Sequence, residues 1–197
     1  MKLYYAPHMA SRAVLITAFE LGIDVEMVKV DMATKRLECG KEFSSITPKA
    51  LIPALEMENG SILTETSAIL MYLAGKSPDK SLVPKYGSED YYRLLEWMNY
   101  FSSEIHKFYT FLFWENADAF KETVKERILA KFALLDQMVD GEYLVGDSLT
   151  LADIYLFINA KALFLLGATI DQYPRLARIV NRVEALPSVA RAMALHE

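Results

Sequence analysis

Residues 51–70 read LIPALEMENGSILTETSAIL, with a proline where a short strand is about to begin. A proline in that first position costs no ladder hydrogen bond. The segments PALEM and SIL read as two strands. The link Glu58-Asn59-Gly60-Ser61 reads as their turn, because Asn and Gly tolerate positive φ. TSAILMYLAG follows as a helix, and TETS places four oxygen-rich side chains at its start. A helix start has unpaired N–H groups and a dipole that favour a carboxylate ligand. Glu65 and Thr66 therefore read either as a simple capping pair or as part of an anion site. Base rates make Pro53 an ordinary trans proline.

Working outward, KLYY reads as a strand ended by Pro7. Ser11 is expected to N-cap the apolar helix RAVLITAFEL, and Gly22 to end it in a left-handed conformation. VEMVKVD alternates as a half-buried strand does. TKRLECGKEF, broken by Gly40, is at best an irregular helix, and Cys39 lies in it as a bystander. The order β-α-β-α-β-β-α predicts a small mixed sheet with helices packed on it, over residues 1–76. GKSPDKSLVPKYGSED carries the linker, residues 77–87. An all-α domain is expected over 88–197. Its first helix runs from about 89 to 115, and the next, KETVKERILAKFALLDQMVD, is stopped by Gly141. Another starts at LTLADIYLF, and two more begin at Pro174 and Pro187. Thr150 with Asp153 forms a capping box flanked by Leu149 and Ile154, a structural feature with no catalytic role.

The chain has 197 residues, 53% of them hydrophobic, enough for one large domain or two small ones. A net charge of −5 argues against nucleic-acid and anionic-membrane binding. The apolar stretch IYLFINAKALFLLGATI contains Asn159 and Lys161, so it reads as a buried helix and not a membrane span. One cysteine excludes a disulfide framework and fits a reducing compartment. With only His8, His106 and His196, no metal-ligand spacing is present.

In the long helix, Glu96, Asn99, Ser103, His106 and Thr110 recur at steps of three and four and so share one face. The bulky Leu94, Leu95, Met98, Phe101, Phe108 and Phe111 lie elsewhere. Short neutral groups with one histidine suit either a solvated face or the wall of a cleft.

Taken together, PKALIPAL, LTETSAI and the β-α-β-α-β-β-α order resemble the glutathione S-transferases, and EWMNYFSSEIHK resembles their bacterial beta class. The resemblance covers essentially the whole chain. It implies a thioredoxin-like N-terminal domain, with Pro53 cis and Ile52 offering its backbone to the cysteinyl part of glutathione, as in strand addition. It gives the γ-glutamyl carboxylate to Thr66, the ammonium to Glu65 and the glycine carboxylate to Lys35. Asn99, Ser103, His106 and Lys107 would border glutathione, and Phe108, Phe111 and Trp114 a small hydrophobic electrophile. It further implies a cytoplasmic homodimer engaged in detoxification, with glutathione as co-substrate and no metal.

The sequence departs from that pattern after the first strand. Where the beta class has glycine, a variable residue, cysteine and serine, this chain has His8, Met9, Ala10 and Ser11. Alanine has no nucleophile, so mixed-disulfide chemistry at that position is lost. Ser11, Tyr5 and His106 remain as groups able to favour the thiolate of glutathione itself. Two readings stand: a conjugating transferase, and a non-catalytic glutathione or hydrophobic-ligand binder of the same fold.

Overall fold

The first strand, β1 (Lys2–Tyr5), alternates Leu3 and Tyr4 to opposite faces, and both are buried. In the computed structural model, which describes residues 1–7, 10–77, 81–114 and 117–195, β1 is the middle of a five-stranded sheet. The strand order is β3-β2-β1-β4-β5, with β2 (Glu26–Asp31), β3 (Arg36–Leu37), β4 (Ala54–Glu56) and β5 (Ile62–Thr64). Only β1 and β2 run parallel. A parallel pair needs a crossover, which α1 (Ser11–Leu21) supplies, and Gly22 ends that helix at φ +71°. On one face, Tyr4, Val30, Leu37, Phe43 and Ala54 form a buried cluster, with the Tyr4 and Phe43 rings 5.6 Å apart. The Tyr4 hydroxyl donates to Glu56 Oε2 at 2.9 Å. Burial, and then this carboxylate, push its pKa up to about 12. The β4–β5 turn is as expected, with Gly60 at φ +79° and Asn59 Oδ1 accepting from Ser61 N–H and Oγ.

Two local expectations are corrected. Helix α1 begins at Ser11 itself. Ala10 occupies the N-cap position in right-handed helical conformation, and Ser11 Oγ donates to the Ala6 carbonyl at 3.1 Å. Between β2 and β4 there is no second helix, only β3 and a 3₁₀ turn at Phe43–Ser45. The cause is local bonding that competes with a helix. Asp31 Oδ1 accepts from Ala33 and Thr34 N–H, and Arg36 donates to the Gly40 carbonyl and to Glu42. Cys39 is exposed in the turn after β3.

The chain divides into two units, Met1–Ser81 together with Pro187–Glu197, and Leu82–Leu186. In the first, α2 (Thr66–Ala74) and α8 (Pro187–Ala194) both pack on α1, and the Arg191 guanidinium lies 3.9 Å over the Phe19 ring. By these contacts the last helix of the 88–197 stretch, expected to be all-helical, falls in the first unit. Positions 78–80 of the expected linker, with His8 and His196, lie outside the described residues.

The helical unit centres on α6 (Leu151–Lys161), buried at every position from Leu151 to Ala160. Its capping box is complete, and Asp153 also accepts from Leu144 N–H at 2.8 Å. The long helix expected over 89–115 is interrupted. It runs as α3 (Glu89–Tyr100), a π-helical segment Phe101–His106, α4 (Lys107–Thr110) and a 3₁₀ turn Phe111–Phe113. Helix α5 (Lys121–Met138) stops at Val139, which is extended, two residues before Gly141. Helix α7 (Pro174–Glu184) begins at its proline, as expected, and so does α8. No helix among the described residues is long and apolar enough to cross a membrane.

Candidate functional site

Non-glycine residues avoid positive φ, and those held there cluster at functional sites because the surrounding structure must enforce the conformation. In the first unit such residues are Lys35 (φ +56°), Ala50 (φ +46°) and Glu65 (φ +73°). The Ile52–Pro53 bond is cis, against the base rate for prolines and in line with the resemblance. Ile52 is half-buried and stands ahead of the β1–β4 ladder, whose pair at this end is Tyr4 with Ala54.

Lys35 and Ala50 are tied to each other, since Lys35 Nζ donates to the Ala50 carbonyl at 3.4 Å. Glu65 sits at the N-cap position of α2, and its side chain makes no capping bond. Its Oε1 instead meets Lys49 Nζ at 2.5 Å, and the same ammonium donates to Thr64 Oγ1 at 2.9 Å. Thr66, the first residue of α2, is buried. The simple capping reading of Glu65 is thus not what the side chain does. A crevice of roughly 580 Å³ opens at the C-terminal ends of β1 and β2, beside Ala6, Pro7, Met32, Thr34 and Arg36. Ligands favour such strand ends in open α/β sheets.

Of the proposed thiol-activating groups in this unit, Tyr5 closes β1 and is half-buried. Ser11 is fully buried, with its one proton committed to Ala6. Ala10, at the place of the family's cysteine, is 5% exposed.

In the helical unit the expected single face splits. Asn99 and Ser103 are exposed, and both bond back along the helix. Asn99 Nδ2 donates to the Leu95 carbonyl at 2.8 Å, and Ser103 Oγ to the Asn99 carbonyl at 3.0 Å. Such back-bonding diverts acceptors from the α pattern, and π winding begins two residues after Asn99. Short π segments occur frequently at functional sites. His106 ends the segment with its ring 6.0 Å from that of Tyr155, and burial lowers its pKa below the ordinary 6.5. At neutral pH it is therefore the neutral imidazole, able to accept a proton at one nitrogen and donate at the other. Lys107 is exposed at the start of α4.

The aromatic residues expected to hold an electrophile do come together. Phe108 and Phe111 rings lie 5.5 Å apart, and Phe111 and Trp114 rings 4.6 Å apart, both edge-on. Lys131 Nζ sits 5.5 Å from the Phe108 centroid, and Trp114 stays largely exposed. Among the described residues, no group of three or more His, Cys, Asp or Glu is placed to hold a metal ion.

Comparison with known proteins points the same way. Residues 1–75 match the glutathione S-transferase N-terminal domain and residues 103–194 the C-terminal domain. Glutathione S-transferase GstA of Escherichia coli O157:H7 is 34% identical over 195 residues, spanning 98% of this chain and 97% of that protein. The chain belongs to the glutathione S-transferase family. It is thereby a member of a family of transferase enzymes, built from a thioredoxin-like domain and an all-helical one. Among solved structures, a sphingomonad glutathione S-transferase complexed with glutathione matches with a TM-score of 0.93 at 34% identity, covering 100% of this chain and 98% of the other. The bacterial beta-class enzyme of Sphingomonas chungbukensis matches with a TM-score of 0.92 at 33% identity, with the same coverage.

Several features of this glutathione S-transferase escaped the sequence reading. Lys49 is the partner of Glu65, Ala50 adopts positive φ, and Tyr155 stands beside His106. Lys49 and Glu65 are far apart in sequence, so no local periodicity pairs them. The positive φ of Ala50 is imposed from outside the residue. Tyr155 was legible only as part of a buried helix.

Proposed function

We propose that this enzyme conjugates glutathione to small hydrophobic electrophiles without an active-site cysteine. The observation that carries the reading is the placement of backbone strain. Lys35 and Glu65, which the resemblance gives to the two charged ends of glutathione, both take positive φ, and so does Ala50, two residues ahead of Ile52. Each positive-φ residue costs about 1–3 kcal/mol, a cost that presenting these groups in fixed directions would repay.

The assigned roles follow. Ile52, ahead of Pro53, pairs its backbone with the cysteinyl unit. Thr66 and the α2 N-terminus take the γ-glutamyl carboxylate, Glu65 the ammonium and Lys35 the glycine carboxylate. Asn99, Ser103, His106 and Lys107 are further glutathione contacts. Phe108, Phe111 and Trp114 form an apolar surface for the electrophile. Ala10 supplies no nucleophile, so the thiol of glutathione is the reacting sulfur. It loses its proton to solvent, and its sulfur forms the new bond to an electrophilic carbon. A leaving group departs from that carbon with its electron pair, or an activated double bond or epoxide C–O bond opens and takes up a proton. His106, kept neutral by burial, is assigned to the thiol as a hydrogen-bond partner. Tyr5 is a hydrogen-bond donor to the thiolate. Ser11 takes the same role only if its hydroxyl turns away from Ala6.

The enzyme is proposed to act as a cytoplasmic homodimer in detoxification. Its one cysteine is free, which suits a reducing compartment. Exposed large side chains such as Tyr86, Tyr92 and Phe164 offer apolar contact area. A monomer by light scattering at micromolar concentration would remove the dimer.

The deciding experiment titrates the protein with glutathione while following thiolate absorbance. Binding with ionisation at neutral pH is expected. Binding without ionisation would overturn the catalytic reading in favour of a binding protein.

A further inference from the structure

The carboxylate that would receive the ammonium of glutathione already holds one. Lys49 Nζ contacts Glu65 Oε1 at 2.5 Å and Thr64 Oγ1 at 2.9 Å, so two of its three donors are engaged. The pair is held from both sides by backbone that its residues do not choose. Ala50, next to Lys49, has φ +46°, and Glu65 has φ +73°. Both side chains are about half exposed or more, 51% for Lys49 and 65% for Glu65. A pair this wet is weak, and its long lysine stem can swing into solvent at little cost.

We infer that Lys49 is an internal competitor for the ammonium seat on Glu65, displaced only by a ligand that brings its own free amine. The inference rests on the proposed role of Glu65 as the receiver of the γ-glutamyl ammonium. A lysine ammonium and an α-ammonium offer the same charge and the same three donors, so one replaces the other with the hydrogen bonds conserved. A ligand lacking the amine cannot make the exchange. It leaves Lys49 on Glu65 and gains nothing from that carboxylate. Lys49 thereby sharpens selection for the free γ-glutamyl head and lowers the affinity for glutathione itself.

The test is calorimetric titration of the protein, Lys49→Met and Lys49→Arg with two ligands. One is glutathione and the other is glutaryl-cysteinyl-glycine, the same tripeptide without its amine. Removing the competitor should tighten glutathione binding about two- to fivefold, the worth of an exposed ion pair. Binding of the amine-free ligand should stay unchanged, and Lys49→Arg, which keeps the charge, should bind glutathione as the parent does. A thermal melt of each variant reports that it is folded. Weaker glutathione binding by Lys49→Met, or equal shifts for both ligands, overturns the inference. If the parent protein binds no glutathione, the proposed function falls and this inference with it. If the parent binds and Lys49→Met fails to tighten, the inference alone falls.

Discussion

Helices α2 and α6 begin in opposite ways. At the start of α6, Thr150 and Asp153 close a reciprocal capping box, and Asp153 spends its remaining acceptor capacity on Leu144 N–H. Its backbone is ordinary, and Asp153 is fully buried. At the start of α2, Glu65 stands in the N-cap position with φ +73° and an exposed carboxylate that caps nothing. One start maximises stability and leaves nothing for a ligand. The other gives up a cap, worth about 1 kcal/mol, and accepts a strained residue, which leaves its N-terminus open. Local rules are obeyed where the chain only has to fold and broken where we propose that it holds a ligand.

The comparison breaks most visibly at Asp153. Burial raises its pKa while three donors lean on it. Asp153→Ala should therefore cost about 3–4 kcal/mol, from a lost cap and buried donors left without a partner. Urea unfolding checks this, and a loss below about 1 kcal/mol would show that the box is ornamental. At Glu65 the two effects should have opposite signs. Glu65→Gly should weaken glutathione binding by about 1.5–3 kcal/mol, the value of a hydrogen bond to a charged group. The same change should raise stability by about 0.5–1 kcal/mol, because glycine accepts positive φ freely while losing more entropy on folding. Stability that falls instead would mean Glu65 is a structural residue like Asp153.

The smallest effect is confined to a pH window. His106 has a folded pKa below its unfolded value, so nothing is lost above the ordinary 6.5. As pH falls below that, the unfolded chain takes up a proton that the folded protein refuses, and stability declines until the folded value is reached. His106→Gln should flatten this decline in denaturant melts between neutral and mildly acidic pH. An unchanged slope would mean the imidazole is not held neutral.

The features legible in the sequence were those whose cause lies within a few residues. The Thr150–Asp153 box, the turn at Asn59-Gly60, the stop at Gly22 and the prolines opening α7 and α8 all have local causes. What escaped has a cause elsewhere. Lys35, Ala50 and Glu65 are forced to positive φ by their surroundings, although none is a residue that favours it. The 32–46 stretch folds as a hairpin extension because Asp31 and Arg36 bond to nearby backbone, and composition alone could not rank that above a poor helix. Residue types at the site were likewise readable from resemblance, whereas the pairing of Lys49 with Glu65 needed three dimensions.

The π winding of Phe101–His106 has a consequence for how such an enzyme changes over generations. A wide turn of this kind holds a surplus residue, so a one-codon deletion within it can be absorbed by reversion to ordinary α winding. Because the wide turn fits one more residue into the angle that an α turn spans, every side chain beyond the deletion would keep its direction about the helix axis. Phe108 and Phe111 lie just beyond. One deletion event would remove the widened turn that ends at His106 while leaving both those rings and Asn99 upstream aimed as before, so the bulge can be lost without re-aiming the aromatic surface.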